Sequence, residues 1–141
     1  MLSDDDLKEI RRRKMELMMK RAQQPEVLEP MANGLVNPLY DSDFWTKMQN
    51  TKTAMVDFYG EWCMPCKTLA PIMAQLAIDY EGEVYFAKVD IDRNVRIAIH
   101  FGVQSVPMVF AFKNGTPVHK LPGLRRYDDY DILISQLLKM Q

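Results

Sequence analysis

The chain reads as an α/β protein built on a central mixed sheet of four to five strands with helices on both faces, and with a further helix at its N-terminus. Three observations predict this. A strand, a helix and a second strand follow one another between Thr53 and Val89, Asn114-Gly115 divides two later strand-like runs, and Tyr127–Lys139 closes the chain as an amphipathic helix. A strand–helix–strand unit returns its second strand parallel to the first, whereas an Asn-Gly turn adds an antiparallel partner. Helices arriving between strands and after the last one then cover both faces.

Size and charge narrow the class. At 141 residues the chain can form one domain with a real core plus an appendage. A net charge of -1 gives no whole-chain attraction to nucleic acid or an anionic membrane, so such a partner needs a local patch. Two cysteines do not make the disulfide framework of a small secreted domain, and no segment is apolar over a bilayer's thickness. The first twenty residues lack the apolar stretch of a signal peptide, which favours a cytoplasmic setting.

Taken in order, Ser3 and Asp6 form a variant capping box for a helix over 4–23, whose apolar residues Leu7, Ile10, Met15, Leu17, Met18 and Ala22 share a broad face interrupted by Arg11 and Lys14. Pro25, Pro30, Asn33-Gly34 and Asn37-Pro38 are successive breakers and read as a linker. The boundary falls near Leu35, dividing a basic helical extension and linker, 1–34, from a domain over 35–141. Asp41 or Ser42 caps a short helix through Met48 with Phe44, Trp45 and Met48 inward. Thr53–Tyr59 is a strand. A helix over 63–80 carries Leu69, Ile72, Met73, Leu76 and Ala77 at helical spacing, with a kink expected at Pro71. Val84–Val89 is a strand, Asn94–Phe101 a helix closed by Gly102, and Met108–Phe112 an apolar inner strand. Val118–Leu121 returns from the hairpin. The first strand of the domain is the least defined, because Pro38 interrupts it.

The chemistry concentrates in Val56–Lys67, where strand gives way to helix at Trp62-Cys63-Met64-Pro65-Cys66-Lys67. The first backbone N–H groups of a helix are unpaired and its N-terminus is partly positive, so a thiolate at Cys63 is stabilised there. Pro65 fits an early helical position, where its missing N–H costs nothing. Cys66 lies one turn deeper. A Cys-x-x-Cys tetrapeptide serves zinc as readily as redox chemistry, and a zinc site would draw on His100 and His119, although these are not at finger-like spacing.

From about Asp41 onward the chain resembles the thioredoxin family. The resemblance rests on Asp57 in a strand, Trp62 to Lys67, Pro71 in the helix, Asp90-Ile91-Asp92, Val106-Pro107, Phe112-Lys113-Asn114-Gly115 and Gly123, all in family order. It implies a thioredoxin fold and the reduction of protein disulfides by dithiol–disulfide exchange. Cys63 is then the nucleophile, Cys66 the resolving thiol, Asp57 the proton acceptor and Lys88 a group that moderates the Asp57 pKa. Pro107 is expected after a cis bond, where it would crowd a metal. Trp62, Met64, Pro65, Val106, Pro107 and Gly123 are expected to border a groove for an extended substrate segment. The resemblance further implies a thioredoxin reductase as electron donor, and no cofactor or metal beyond the Cys63–Cys66 disulfide. Met64 stands where the family usually has Gly, Tyr59 where many members have Trp, and Met108 where Thr is common, which leaves the direction of electron flow less fixed than the fold.

Two other readings stand beside the reductase. A more oxidising oxidase or isomerase is compatible with Met64 between the cysteines. Alternatively, the basic helix, with Lys8, Arg11, Arg12, Arg13, Lys14, Lys20 and Arg21, delivers a thioredoxin-like module to an assembly in which the cysteines matter little. For that helix, packing on its own domain or pairing between chains ranks first, protein docking second and nucleic acid last. Asp57 also has a purely structural reading, a buried ion pair with Lys88.

Overall fold

The computed structural model describes residues 2–23 and 28–140, so Pro25 of the predicted linker lies outside the described residues, as do the side chains of Arg21 and Ala22. Five strands form one sheet in the order β1-β3-β2-β4-β5. These are β1 (Val36–Pro38), β2 (Thr53–Tyr59), β3 (Tyr85–Asp90), β4 (Met108–Lys113) and β5 (Thr116–Pro122). β1 and β2 pair parallel with β3, while β4 pairs antiparallel with both β2 and β5. The helices are α1 (Asp4–Gln23), α2 (Phe44–Gln49), α3 (Met64–Asp79), α4 (Val95–His100) and α5 (Tyr127–Leu138).

β2 lies at the centre, and its residues Thr53 to Phe58 are all buried because helices cover both of its faces. Alternation divides its side chains between two cores. Met55 joins Leu69, Met73 and Leu76 of α3 and Tyr130 and Ile134 of α5 on one face. Ala54, Val56 and Phe58 join Phe44 and Met48 of α2 and Ile97 of α4 on the other. The Asn114-Gly115 turn has both residues at positive φ, 54° and 78°, as a two-residue hairpin following the strand twist requires. α3 continues through Pro71.

Several local expectations change. Pro38 ends β1 at the edge of the sheet, where its missing N–H leaves no inner partner unsatisfied. Neither Asp41 nor Ser42 caps α2. Its N-cap is Asp43, and Asp41 instead accepts hydrogen bonds from the Ile97 N–H at 3.0 Å and the Arg96 N–H at 3.4 Å, closing the first turn of α4. Trp45 remains 37% exposed and packs edge-on against His100, because Phe44 and Met48 already occupy the inward side of α2.

The segment before Leu35, rich in breakers, is packed onto the body. Glu29 is buried, and its carboxylate accepts from the Lys52 N–H at 2.5 Å and the Thr53 N–H at 3.4 Å. Its own N–H donates to the Gly82 carbonyl at 2.8 Å, and the Gly82 N–H returns a bond to Ala32 at 2.9 Å. Pro30 and Gly34 therefore shape a fixed turn.

α1 begins with the reciprocal Ser3–Asp6 hydrogen bonds of the expected capping box. Its apolar residues Leu7, Ile10, Met15 and Met18 are exposed and enter neither core. One side of the helix faces α3 and α5 across a cleft of about 630 Å³ lined in part by Ile10, Arg13 and Leu17, with Arg13 3.6 Å from Asp128.

Candidate active site

The active-site turn begins where β2 ends. Cys63 is the N-cap of α3 in extended conformation, and its sulfur accepts the Cys66 N–H at 3.2 Å, one of the donors that a helix N-terminus leaves unpaired. Pro65 lies in the first turn, as its missing N–H allows. Cys63 and Cys66 form a disulfide with Cα atoms 5.3 Å apart.

Exposure does not separate the two sulfurs, since each residue is only 4% exposed. Their neighbours do. Cys63 Sγ lies 3.7 Å from the Val106 carbonyl oxygen, on the side of the cis Val106–Pro107 bond. Cys66 instead lines a cleft of about 350 Å³ together with Asp57, Tyr59, Glu61, Lys67 and Lys88.

On the Cys63 side, Trp62 and Met64 are the most open apolar residues, 66% and 68% exposed. Pro107 is buried and Val106 half-buried, and the Gly123 N–H bonds to the Pro107 carbonyl at 2.9 Å, joining the two loops. Of the residues expected to border a groove, Val106 thus lies against Cys63, Trp62 and Met64 flank Cys63 in sequence, and Gly123 is tied to Pro107 through its backbone. Pro65 sits between Met64 and Cys66 at the helix start.

Asp57 is buried in the cleft that Cys66 lines, and its Oδ1 has no hydrogen-bond partner among the described residues. Burial pushes its pKa up to about 7, and the positive charge of Lys88 opposes that rise. Lys88 is the residue opposite Asp57 in the β2–β3 register, yet it forms no ion pair with it among the described residues. Its ammonium stands at the exposed mouth of the cleft, 5.7 Å from the centroid of the Tyr59 ring, so the buried ion-pair reading of Asp57 does not hold. Tyr59, noted only as a departure from the family, is therefore a platform for this cation.

Two further residues were not singled out as functional. Asp92 accepts a 2.7 Å hydrogen bond from Trp62 Nε1 and holds the indole of the residue before Cys63. Gly60 lies under that indole, where a Cβ would stand 2.7 Å from Trp62 Cε2. The signal for Asp92 was present, in the spacing of Asp90-Ile91-Asp92 at the end of β3 next to the end of β2. Gly60→Ala is expected to displace the ring, shift the Trp62 indole N–H resonance and lower kcat/KM for a protein disulfide by about threefold to tenfold, as for the net loss of a solvent-accessible hydrogen bond worth about 1 kcal/mol. An unmoved indole resonance would count against this.

His100 ends α4 and His119 lies on β5, both exposed. Among the described residues, no three His, Cys, Asp or Glu side chains gather as metal ligands.

Comparison with known proteins agrees with this geometry. The thioredoxin family model matches residues 35–136. Thioredoxin from Staphylococcus aureus is 41% identical over 85 residues, which cover 60% of this chain and 81% of that protein. Among solved structures, a single-substitution mutant of thioredoxin from Halobacterium salinarum superposes with a TM-score of 0.67 at 30% identity, covering 74% of this chain and 94% of that one. Thioredoxin f from spinach chloroplast superposes with a TM-score of 0.69 at 29% identity, covering 74% and 87%. With the Cys63–Cys66 pair at the start of α3 and a family match across residues 35–136, the chain belongs to the thioredoxin family and is a thiol–disulfide oxidoreductase.

Proposed function

We propose that this protein is a protein-disulfide reductase, a dithiol electron carrier of the cytoplasm that is itself recharged by a thioredoxin reductase. The observation that carries the reading is the division of the two sulfurs between different surroundings, Cys63 beside the groove and Cys66 beside a buried carboxylate.

In the dithiol form the Cys63 thiolate, stabilised by the start of α3, attacks one sulfur of a substrate disulfide. A Cys63–substrate bond forms, and the other substrate sulfur leaves as a thiolate. Cys66 then gives its proton to Asp57, whose pKa of about 7 lets it accept near neutrality. The Cys66 thiolate attacks Cys63 Sγ, forming the Cys63–Cys66 disulfide and releasing the second substrate thiolate. Two electrons have passed to the substrate, and the dithiol is restored by the reductase. Lys88 keeps the Asp57 pKa from rising further. Trp62, Met64, Pro65, Val106, Pro107 and Gly123 hold the substrate segment, with Val106 offering its backbone to it as to an added strand.

Met64 supports the second reading, an oxidase or isomerase. Its exposed thioether replaces the family's usual Gly between the sulfurs, and that position tunes the relative stability of thiolate and disulfide. Equilibration with glutathione buffers separates the two, because a two-electron couple changes tenfold in its equilibrium constant for about 30 mV. The reductase reading expects a potential clearly below the glutathione couple and catalysed reduction of insulin with NADPH and a thioredoxin reductase. A potential at or above that couple points instead to oxidation or isomerisation.

For α1 we favour a role in docking or self-association, supported by its exposed apolar residues and by an edge toward α3 and α5 that is only loosely filled.

A further inference from the structure

Two buried polar atoms lack a hydrogen-bond partner among the described residues: Asp57 Oδ1 and the Tyr130 hydroxyl. They belong to the same layer. Asp57 alternates with Val56 and so leaves β2 on the Met55 face, which α3 and α5 cover, and its partner in the β4 register, Val109, packs in the same core as Tyr130. Tyr130 sits at the start of α5 and is fully enclosed, at 0% exposed. Its ring accounts for the packing, but a phenylalanine would fill the same space. The hydroxyl is an extra polar atom in the apolar layer between the sheet, α3 and α5.

Leaving such groups unpaired is costly, and buried polar atoms pair with one another or with enclosed water. Burial and then the negative charge of Asp57 push the Tyr130 hydroxyl up to about 12, so it keeps its proton, and Asp57 is close enough for its charge to be felt. Arg125 opposes that rise, and its N–H approaches the hydroxyl without hydrogen-bond geometry. The other titratable and charged groups around Asp57 are Lys88 on β3, Cys66 and Lys67 on α3, and Tyr59 and Glu61 at the end of β2. Lys67 and Lys88 are exposed at the mouth of the cleft, whereas Tyr130 is enclosed in the core beneath α3 and α5.

We propose that Tyr130 is a positioning residue for the proton acceptor: through one enclosed water, its hydroxyl donates a hydrogen bond to ionised Asp57 and holds the carboxylate toward Cys66. This rests on Asp57 being the acceptor. The Cys66 proton moves to Asp57, giving a thiolate and a carboxylic acid, and Tyr130 retains its own proton throughout.

Tyr130→Phe removes one oxygen and keeps the ring. Titration of the Asp57 side-chain carboxyl carbon by NMR, on the full chain in dithiol and disulfide states, is expected to show the midpoint rising by about one pH unit, because a donor to the charged form has been lost. The acid limb of the pH profile for mixed-disulfide resolution should move the same way, a change that altered packing alone would not produce. An Asp57 midpoint equal to wild type overturns the proposal. Asp57→Asn judges the underlying reading separately, since an undiminished resolution rate in that variant removes Asp57 as the acceptor whatever Tyr130 does. Should Tyr130→Phe fold poorly, the Tyr130 Cζ resonance of the unmodified protein must inflect at the Asp57 midpoint, and a flat curve overturns the proposal equally.

Discussion

Cys66→Ser is expected to stop the reaction at the mixed disulfide. Cys63 still attacks, because its place as N-cap of α3 and its position against the Val106 carbonyl do not depend on the other sulfur. Serine cannot supply the second thiolate, so the substrate stays covalently bound, and multiple-turnover insulin reduction falls to background. Non-reducing gels or intact-mass measurement should show a stable protein–substrate adduct that dithiothreitol releases. Cys63→Ser should lose turnover equally but form no such adduct, since Cys66 faces the Asp57 cleft. Adduct accumulation with Cys63→Ser and none with Cys66→Ser would reverse the assigned roles.

Asp57→Asn is expected to make the protein more stable and slower. The ordinary carboxylate value is 3.8 and the folded value about 7, a difference of about 3 pH units, with burial as the main cause. Between those values the folded protein holds a proton that the unfolded chain has released, so stability falls as pH rises from about 4 to about 7 and then levels off. At about 1.4 kcal/mol per pH unit, ionised Asp57 destabilises the fold by about 4 kcal/mol above neutrality. Asn carries no charge and escapes this loss. Urea unfolding of the disulfide form should therefore show Asp57→Asn more stable by a few kcal/mol at pH 8.5 and little different at pH 4. The same variant should slow mixed-disulfide resolution near neutrality, where Cys66 has lost its acceptor. A stability difference independent of pH would mean that Asp57 is not held protonated by burial.

The elements legible in the sequence are those whose causes are local. The apolar run of β2, the helical spacing after Cys63 and the positive-φ turn at Asn114-Gly115 each carry their signal within a few residues. The meeting of Cys63 with the cis Val106–Pro107 bond was legible because family order places that proline beside the cysteines. What escaped depends on partners far along the chain. Asp41 looked like a cap for the helix that follows it, but it caps α4, some 55 residues on. Breakers at Pro30 and Gly34 look alike in a free linker and in a packed turn, and only the contacts of Glu29 with Lys52 and Thr53 distinguish the two. Trp62 and Asp92 are 30 residues apart and meet because β2 and β3 run parallel and end together. Tyr130 read as one more aromatic on an amphipathic helix, since nothing local shows that its hydroxyl is buried without a hydrogen-bond partner among the described residues.

The Glu29 contact also bears on where the chain can be cut. Its carboxylate grips two backbone N–H groups at the entrance to the central strand, so the stretch over 28–34 acts as a clasp on the sheet although the family match begins at residue 35. A truncation at the family boundary discards α1 and the clasp together, and any loss of stability would then be wrongly charged to the helix. A shorter deletion that removes α1 and keeps Leu28 onward isolates the helix, and it leaves the start of β2 held as it is in the intact protein.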